Sequence, residues 1–265
     1  MFKLVALDID GTLLDKDHVL RDEVMYTVNK VKEKGIKVVL ASGRDYKALK
    51  PFLHKLGVKD LVIGMNGCRV YNKEGKTIFN ESIDSIVGKE IINFFQEEKR
   101  YIILFIDGNT YVAKFNNYLD HEYYTGIPIE VENLSHFYKE HMNLDKIIVV
   151  EEHEKLLEIK DILNKNFKGK INGEFTLSIF LEIFSNKVNK GVMLEKIAKY
   201  YNIERNEVMA IGDWDNDIPM IEYAGFGVAM GNASDGLKER ADFITKSNEE
   251  NGVAYALQKF ILDSD

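Results

Sequence analysis

The chain has 265 residues, 45% of them hydrophobic and 29% charged, a length and composition that suit one large or two modest globular domains. A formal net charge of −8 argues against general binding to nucleic acid or to an anionic membrane, so a phosphorylated partner should be small and accompanied by a cation. Cys68 is the single cysteine and excludes an internal disulfide; no apolar run would span a bilayer, the six histidines lack zinc-type pairing, and a cytoplasmic protein is expected.

Leu4-Val5-Ala6-Leu7 is apolar on both faces, as in a buried strand of a parallel sheet, and it runs into Asp8-Ile9-Asp10-Gly11-Thr12. In open α/β sheets, ligands bind at that end of the strands. If the extended geometry persists through Asp10, Asp8 and Asp10 point the same way and share one site. Such a pair suits a nucleophile or metal ligand beside a proton carrier. The alternative on these residues alone is a plain Asp-Gly turn after a solvated strand end.

Residues 21–34 carry Val24, Val28 and Val31 at helical spacing, closed by Gly35. A second strand at 37–41 ends in Ser42-Gly43-Arg44. A second helix at 45–56 is closed by Gly57, with Pro51 leaving its first turns open. A third strand at 61–63 ends in Asn66-Gly67. This alternation predicts a parallel sheet with right-handed crossovers.

The rhythm then changes. A helix is expected at 86–99, and strands at 101–106 and 110–114 flank Asp107-Gly108-Asn109, a hairpin signal. A strand at 147–150, a helix at 153–167 and one long aromatic and β-branched strand at 175–184 follow, while 116–141 carries no assignment. This is an α+β unit, placed at 84–186, inserted into a parallel domain made of 1–83 and 187–265. From Lys190 the first rhythm resumes with a helix at 191–201 and a strand at 208–211, which ends in Gly212-Asp213-Trp214-Asp215-Asn216-Asp217. A strand at 225–230 and a helix at 253–262 close the chain.

Residues 213–217 hold three carboxylates and an amide directly after a strand, an all-oxygen set suited to a hard cation. An EF-hand is excluded, because Ile218 and Ala224 stand where its glycine and glutamate belong. A solvated acidic turn is the remaining alternative. Ser42, taken alone, is an ordinary helix-capping serine, although a hydroxyl and N–H groups at a strand-to-helix turn also make a phosphate seat. Lys190, taken alone, is a solvated surface lysine, and Lys187 competes with it for any role.

Taken in order, strand-DIDGT, strand-SGR, a Lys-Gly opening a helix, and strand-GDxxND resemble the haloacid dehalogenase-like phosphatase superfamily across the whole chain. Asn66-Gly67, Ala229-Met230-Gly231-Asn232-Ala233 and residues 248–253 look like signatures of its Cof-type branch. The resemblance implies an α/β fold: a Rossmann-like parallel-sheet core with a large inserted cap between the second and third motifs. It implies that Asp8 attacks phosphorus and carries an aspartyl-phosphate, and that Asp10 protonates the leaving oxygen and then activates water. Ser42, Gly43 and Lys190 would hold phosphoryl oxygens, and Asn216 would contact the phosphoryl region or order its loop. Mg²⁺ would be bound by Asp8, the Asp10 carbonyl and Asp213, with Asp217 supporting them. Thr12, Arg44, Asn66 and Gly67 would lie near substrate. The chemistry needs this set, because a dianionic phosphate repels a carboxylate until a cation and a lysine neutralise both. The implied substrate is a small phosphorylated metabolite, a sugar phosphate foremost. A phosphotransferase or phosphomutase using the same aspartate, or a phospho-aspartate regulatory module, are the alternatives. Trp214 departs from the family, which more often has a small or polar residue there. Tyr111, Phe115 and Tyr123 are candidates for the cap's substrate-facing residues.

Overall fold

β1 (Leu4–Asp8) is buried at every position, as its two-sided apolar sequence requires. In this computed structural model, which describes residues 1–116 and 128–263, β1 is followed by a tight turn, Ile9–Leu13. The chain continues through α1 (Asp22–Glu33), β2 (Lys37–Ala41), α2 (Tyr46–Lys55) and β3 (Val62–Gly64). Pro51 lies inside α2 without ending it. β4 (Arg69–Tyr71) and β5 (Thr77–Asn80), which the sequence reading did not assign, complete this arm.

The inserted segment forms α3 (Ser85–Glu97), β6 (Tyr101–Ile106), β7 (Asn109–Val112), β8 (Ile129–Glu130), α4 (Leu134–Phe137), β9 (Leu144–Val150), α5 (His153–Asn166), β10 (Ile171–Leu177) and β11 (Phe180–Ser185). The return arm forms α6 (Lys190–Tyr200), β12 (Val208–Gly212), α7 (Ile218–Tyr223), β13 (Phe226–Ala229), α8 (Asp235–Lys238), β14 (Phe243–Ile244) and α9 (Gly252–Leu257). The expected closing helix runs to Leu262, as α9 followed without a break by a π-helical turn at Gln258–Leu262.

Two compact units result, Met1–Phe79 with Asn189–Asp265, and Asn80–Val188. The insert begins slightly before the expected 83/84 junction because Ile83 belongs to the insert's apolar cluster and donates its N–H to Leu144 O. Asn189 belongs to the core unit, where its side chain caps α6 by accepting from Val192 N at 2.8 Å.

The core sheet has the order β14-β13-β12-β1-β2-β3-β4-β5. Pairing is parallel from β14 to β3 and antiparallel between β3 and β4. The chain leaves β1 toward β2 on one side and returns to β12 on the other. That reversal is a topological switch point, where open α/β sheets place their ligands. The carboxyl ends of β1, β2, β3 and β12 carry Asp8, Ser42, Asn66 and Asp213.

The insert's sheet has the order β10-β11-β9-β6-β7-β8, antiparallel except for β7 with β8. Val87, Ile91 and Phe95 of α3 and Leu156, Ile159 and Leu163 of α5 form one buried cluster with Leu104, Val149 and Leu181 of the strands. The single strand expected at 175–184 is instead a hairpin, with Leu177 opposite Phe180. Its turn, Ser178-Ile179, lacks glycine, proline, asparagine and aspartate, and Ser178 is the one turn-favouring residue in it, a weak mark between apolar neighbours. Tyr111 stacks on Phe137 at 4.5 Å and packs with the insert's apolar cluster, whereas Phe115 is half exposed. Tyr123 lies outside the described residues. Among the described residues, no helix is long and apolar enough to cross a membrane.

Candidate active site

Asp8 ends β1, and only 5% of its surface is exposed. Asp213, directly after β12, and Asp217, one turn later, are also buried. One carboxylate oxygen from each of the three lies within 4.8 Å of the others. Two of the acidic loop's carboxylates, Asp213 and Asp217, are thus withdrawn from solvent, while Asp215 is exposed. Asp217 folds back beneath the loop, and its Oδ2 accepts the N–H groups of Asp213 at 2.9 Å and Trp214 at 3.2 Å. Gly212 permits this: a Cβ there would sit 2.6 Å from the Asp217 side chain. Thr12 Oγ1 donates to Asp213 Oδ1 at 2.9 Å, fixing the carboxylate from the turn after the neighbouring parallel strand β1.

Lys190 is buried, which corrects its reading as a surface lysine. As the first residue of α6 it points its ammonium into the cluster, donating to Asp8 Oδ1 and Asp217 Oδ1, each at 2.6 Å. The competing Lys187 is exposed and lies in the insert. One ammonium among three buried carboxylates leaves negative charge in excess. Burial first, and the charge of Asp217 second, raise the Asp8 carboxyl well above its ordinary range against the pull of Lys190. The same two causes push Asp213 up to about 6, against the hydrogen bond from Thr12. Burial works to lower the Lys190 pKa, but the charges of Asp217 and Asp8 outweigh it and the pKa rises. An excess of buried, all-oxygen negative charge fits a hard divalent cation such as Mg²⁺.

Asp10 does not join this cluster through its side chain. The strand ends at Asp8, and the chain turns through Gly11 at φ 82°. Gly11 is packed so tightly that a Cβ would fall 2.2 Å from Asp213 Oδ2. The turn directs the Asp10 carboxylate to Arg44, whose Nε donates to Oδ2 at 2.8 Å and Nη2 to Oδ1 at 2.6 Å. His18 Nδ1 stands 4.0 Å from the same Oδ1. The expectation that Asp8 and Asp10 share a strand face is thus corrected.

Ser42 is not a helix cap either. Asp45 caps α2, accepting from Ala48 N at 2.8 Å. The buried Ser42 hydroxyl accepts instead from Arg44 N at 3.2 Å, forming a small turn with Gly43 at its centre. The turn after β3 is stitched to it: Asn66 N donates to Ser42 O at 3.0 Å and Met65 N to Arg44 O at 2.9 Å. Asn66 adopts the left-handed conformation, as does the following Gly67 in its positive φ of 104°. The Asn66 side chain accepts from Asn216 Nδ2 at 3.0 Å, linking the turn after β3 to the acidic loop. Trp214 is 59% exposed on that loop.

The sequence reading assigned no role to Asn232 and Asn248. Asn232 Nδ2 donates to Gly11 O at 2.9 Å, Asn248 Nδ2 donates to Leu14 O at 2.9 Å, and Asn248 N donates to Asn232 Oδ1 at 2.9 Å. Together they brace the turn that carries Asp10. Their motifs were visible, but the Gly11 and Leu14 carbonyls they bind lie more than two hundred residues away in sequence.

The haloacid dehalogenase-like hydrolase family matches residues 5–257. YxeH of Bacillus subtilis is 32% identical over 99% of both chains. The 5-amino-6-(5-phospho-D-ribitylamino)uracil phosphatase YitU of the same organism is 28% identical over 97% of each. The crystal structure of TM0651 from Thermotoga maritima superposes with a TM-score of 0.88 at 31% identity, covering 98% of each chain. The chain belongs to the haloacid dehalogenase-like hydrolases, as an enzyme of their Cof-type phosphatase branch.

Proposed function

We propose that this protein is a Mg²⁺-dependent phosphatase of small phosphorylated metabolites, sugar phosphates foremost, acting through an aspartyl-phosphate on Asp8. The observation that carries the reading is the buried Asp8 carboxylate at the switch point, held by Lys190 at 2.6 Å beside Asp213 and Asp217. Asp8, Asp213 and the Asp10 carbonyl would hold Mg²⁺, with Asp217 ordering the loop through its two N–H bonds. The bound ion would supply positive charge against the phosphoryl oxygens and the attacking carboxylate.

Asp8 attacks phosphorus, and the ester P–O bond breaks with its electron pair on the leaving oxygen. Asp10 gives that oxygen a proton and, now ionised, takes one from the water that releases phosphate from Asp8. The Ser42 hydroxyl, the Gly43 and Arg44 backbone, the Lys190 ammonium and the Asn216 amide suit the transferred group's oxygens. Thr12, Asn66 and Gly67 hold these groups in place or border them. YitU is named for a ribityl phosphate, a sugar-alcohol ester, which supports the substrate class. That Cys68, which is buried, is the single cysteine of the sequence supports a cytoplasmic setting.

The test is Asp8→Asn assayed for inorganic phosphate release against a panel of phosphorylated metabolites, with acid-quench trapping of the wild-type phosphoenzyme. Loss of turnover in a folded variant, with label acid-stable on wild type and absent from Asp8→Asn, is expected. Turnover retained above a few per cent would place the nucleophile elsewhere.

A further inference from the structure

We infer that Arg44 is a positioning residue for proton transfer, acting on Asp10 rather than on substrate. This rests on the reading of Asp10 as the acid and base of the reaction above. The Arg44 side chain is buried, and its fork grips both oxygens of Asp10 at 2.8 and 2.6 Å. A planar guanidinium matches a carboxylate at two points, so it sets the plane and rotation of the group as well as its distance. The fork is itself held. Its charge lies over the Phe52 ring at 5.3 Å, the Arg44 N–H donates to the Ser42 hydroxyl at 3.2 Å, and the Arg44 carbonyl accepts from Met65 N at 2.9 Å.

Asp10 needs such a partner because its own backbone does not aim it. It follows the end of β1, in a turn that passes through a left-handed glycine, and its side chain is about one-fifth exposed. Left alone, that carboxylate would sample several rotamers. Each carboxylate oxygen has two acceptor sites, and the fork uses one on each. The other stays available for the proton that moves to the leaving oxygen as its bond to phosphorus breaks. Arg44 thus joins two parts of the reaction through one residue. Its backbone shapes the Ser42 turn, and its side chain aims the proton carrier.

The experiment measures kcat/KM for a series of substituted phenyl phosphates, from p-nitrophenyl to p-methoxyphenyl, in wild type, Arg44→Met, Arg44→Lys and Asp10→Asn. An activated phenolate leaves without protonation, and a poor one requires it. Phosphoenzyme formation governs kcat/KM, so the later hydrolysis does not mask the effect. Arg44→Met is expected to lose ~10²-fold on p-methoxyphenyl phosphate and less than ~10-fold on p-nitrophenyl phosphate, copying the steepened leaving-group dependence of Asp10→Asn. Arg44→Lys, a charge without a fork, should recover only part of the loss. The inhibition constant of inorganic phosphate should be the same in all four proteins. Equal losses on every ester with weakened phosphate inhibition would show that Arg44 touches the substrate, and would overturn the inference. A flat profile in Arg44→Met beside a steep one in Asp10→Asn would also overturn it, leaving the proposed function intact. A flat profile in Asp10→Asn itself would instead refute the role of Asp10 on which both rest. Thermal melts of each variant verify that a folded protein is compared, and Arg44→Lys carries the test if Arg44→Met does not fold.

Discussion

Replacing Lys190 by methionine removes the one ammonium inside the carboxylate cluster while keeping most of the side chain's volume. Lys190 and Asp217 are each about 1% exposed and Asp8 7%, so solvent does not screen the two 2.6 Å contacts. Removing one partner of a buried ion pair costs about 3–5 kcal/mol, because the other is left buried and uncompensated. For a chain of this size each kcal/mol shifts the melting temperature by roughly 2–4 °C, so metal-free Lys190→Met should melt about 6–20 °C below wild type at pH 7.5. The pH dependence follows from the raised carboxyls. Asp8 lies above its ordinary value and Asp213 at about 6 in the folded protein, against 3.8 as the reference. The folded state therefore holds protons that the unfolded state has lost. The associated stability is present below pH 3.8 and disappears as pH rises through about 6 and beyond. Without the ammonium those carboxyls rise further, so the gap between variant and wild type should be small at pH 5 and widest above pH 7. Saturating Mg²⁺ should narrow it at pH 7.5. The assay is calorimetry in EDTA and in Mg²⁺ at both pH values, following the transition of the core unit. A metal-free variant melting within about 2 °C of wild type at pH 7.5 would refute the claim that Lys190 offsets buried negative charge.

Chelation should abolish turnover, Mg²⁺ should restore it, and Asp213→Ala should behave in Mg²⁺ as wild type does in EDTA; full activity after exhaustive chelation would remove the metal from the mechanism. Trp214 is the only tryptophan and is 59% exposed on the acidic loop, so its emission should change on Mg²⁺ addition and again with beryllofluoride. A response unchanged in Asp213→Ala would place the bound ion elsewhere. In the insert, Lys146 and Glu182 form a 2.9 Å pair with each side chain about 5% exposed or less. Lys146→Met should destabilise that unit by about 3–5 kcal/mol in urea unfolding, and adding Glu182→Leu should recover most of the loss; a double variant as unstable as the single would count against a charge-burial origin.

Legibility differed from element to element for physical reasons. β1 and β12 are short, apolar on both faces and end in carboxylates, so pattern alone places them and the residues they deliver. β4, β5 and β14 are only two to four residues long, too short for a period to register. The β10–β11 hairpin reads as one strand because a lone serine is the sole turn signal between its β-forming residues. Lys190 shows the same limit at the site. A lysine opening a helix looks solvated in one dimension, and only the fold, which brings the start of α6 to Asp8 and Asp217, makes it the ammonium of a buried cluster.

What the amino-acid order determined was the alternation of strands and helices around β1, β2, β3 and β12, and the carboxylates and hydroxyl at the ends of those strands, because these follow from periodicity and turn chemistry within a dozen residues. The four motifs also sufficed to identify the family. Tertiary structure decided how the functional groups divide. Asp8, Asp213 and Asp217 converge with Lys190, while Asp10, two residues from Asp8, turns to Arg44. The physical reason is the turn through Gly11. Its left-handed backbone and contact with Asp213 depend on a strand that arrives two hundred residues later, so no local pattern could reveal which way Asp10 would face.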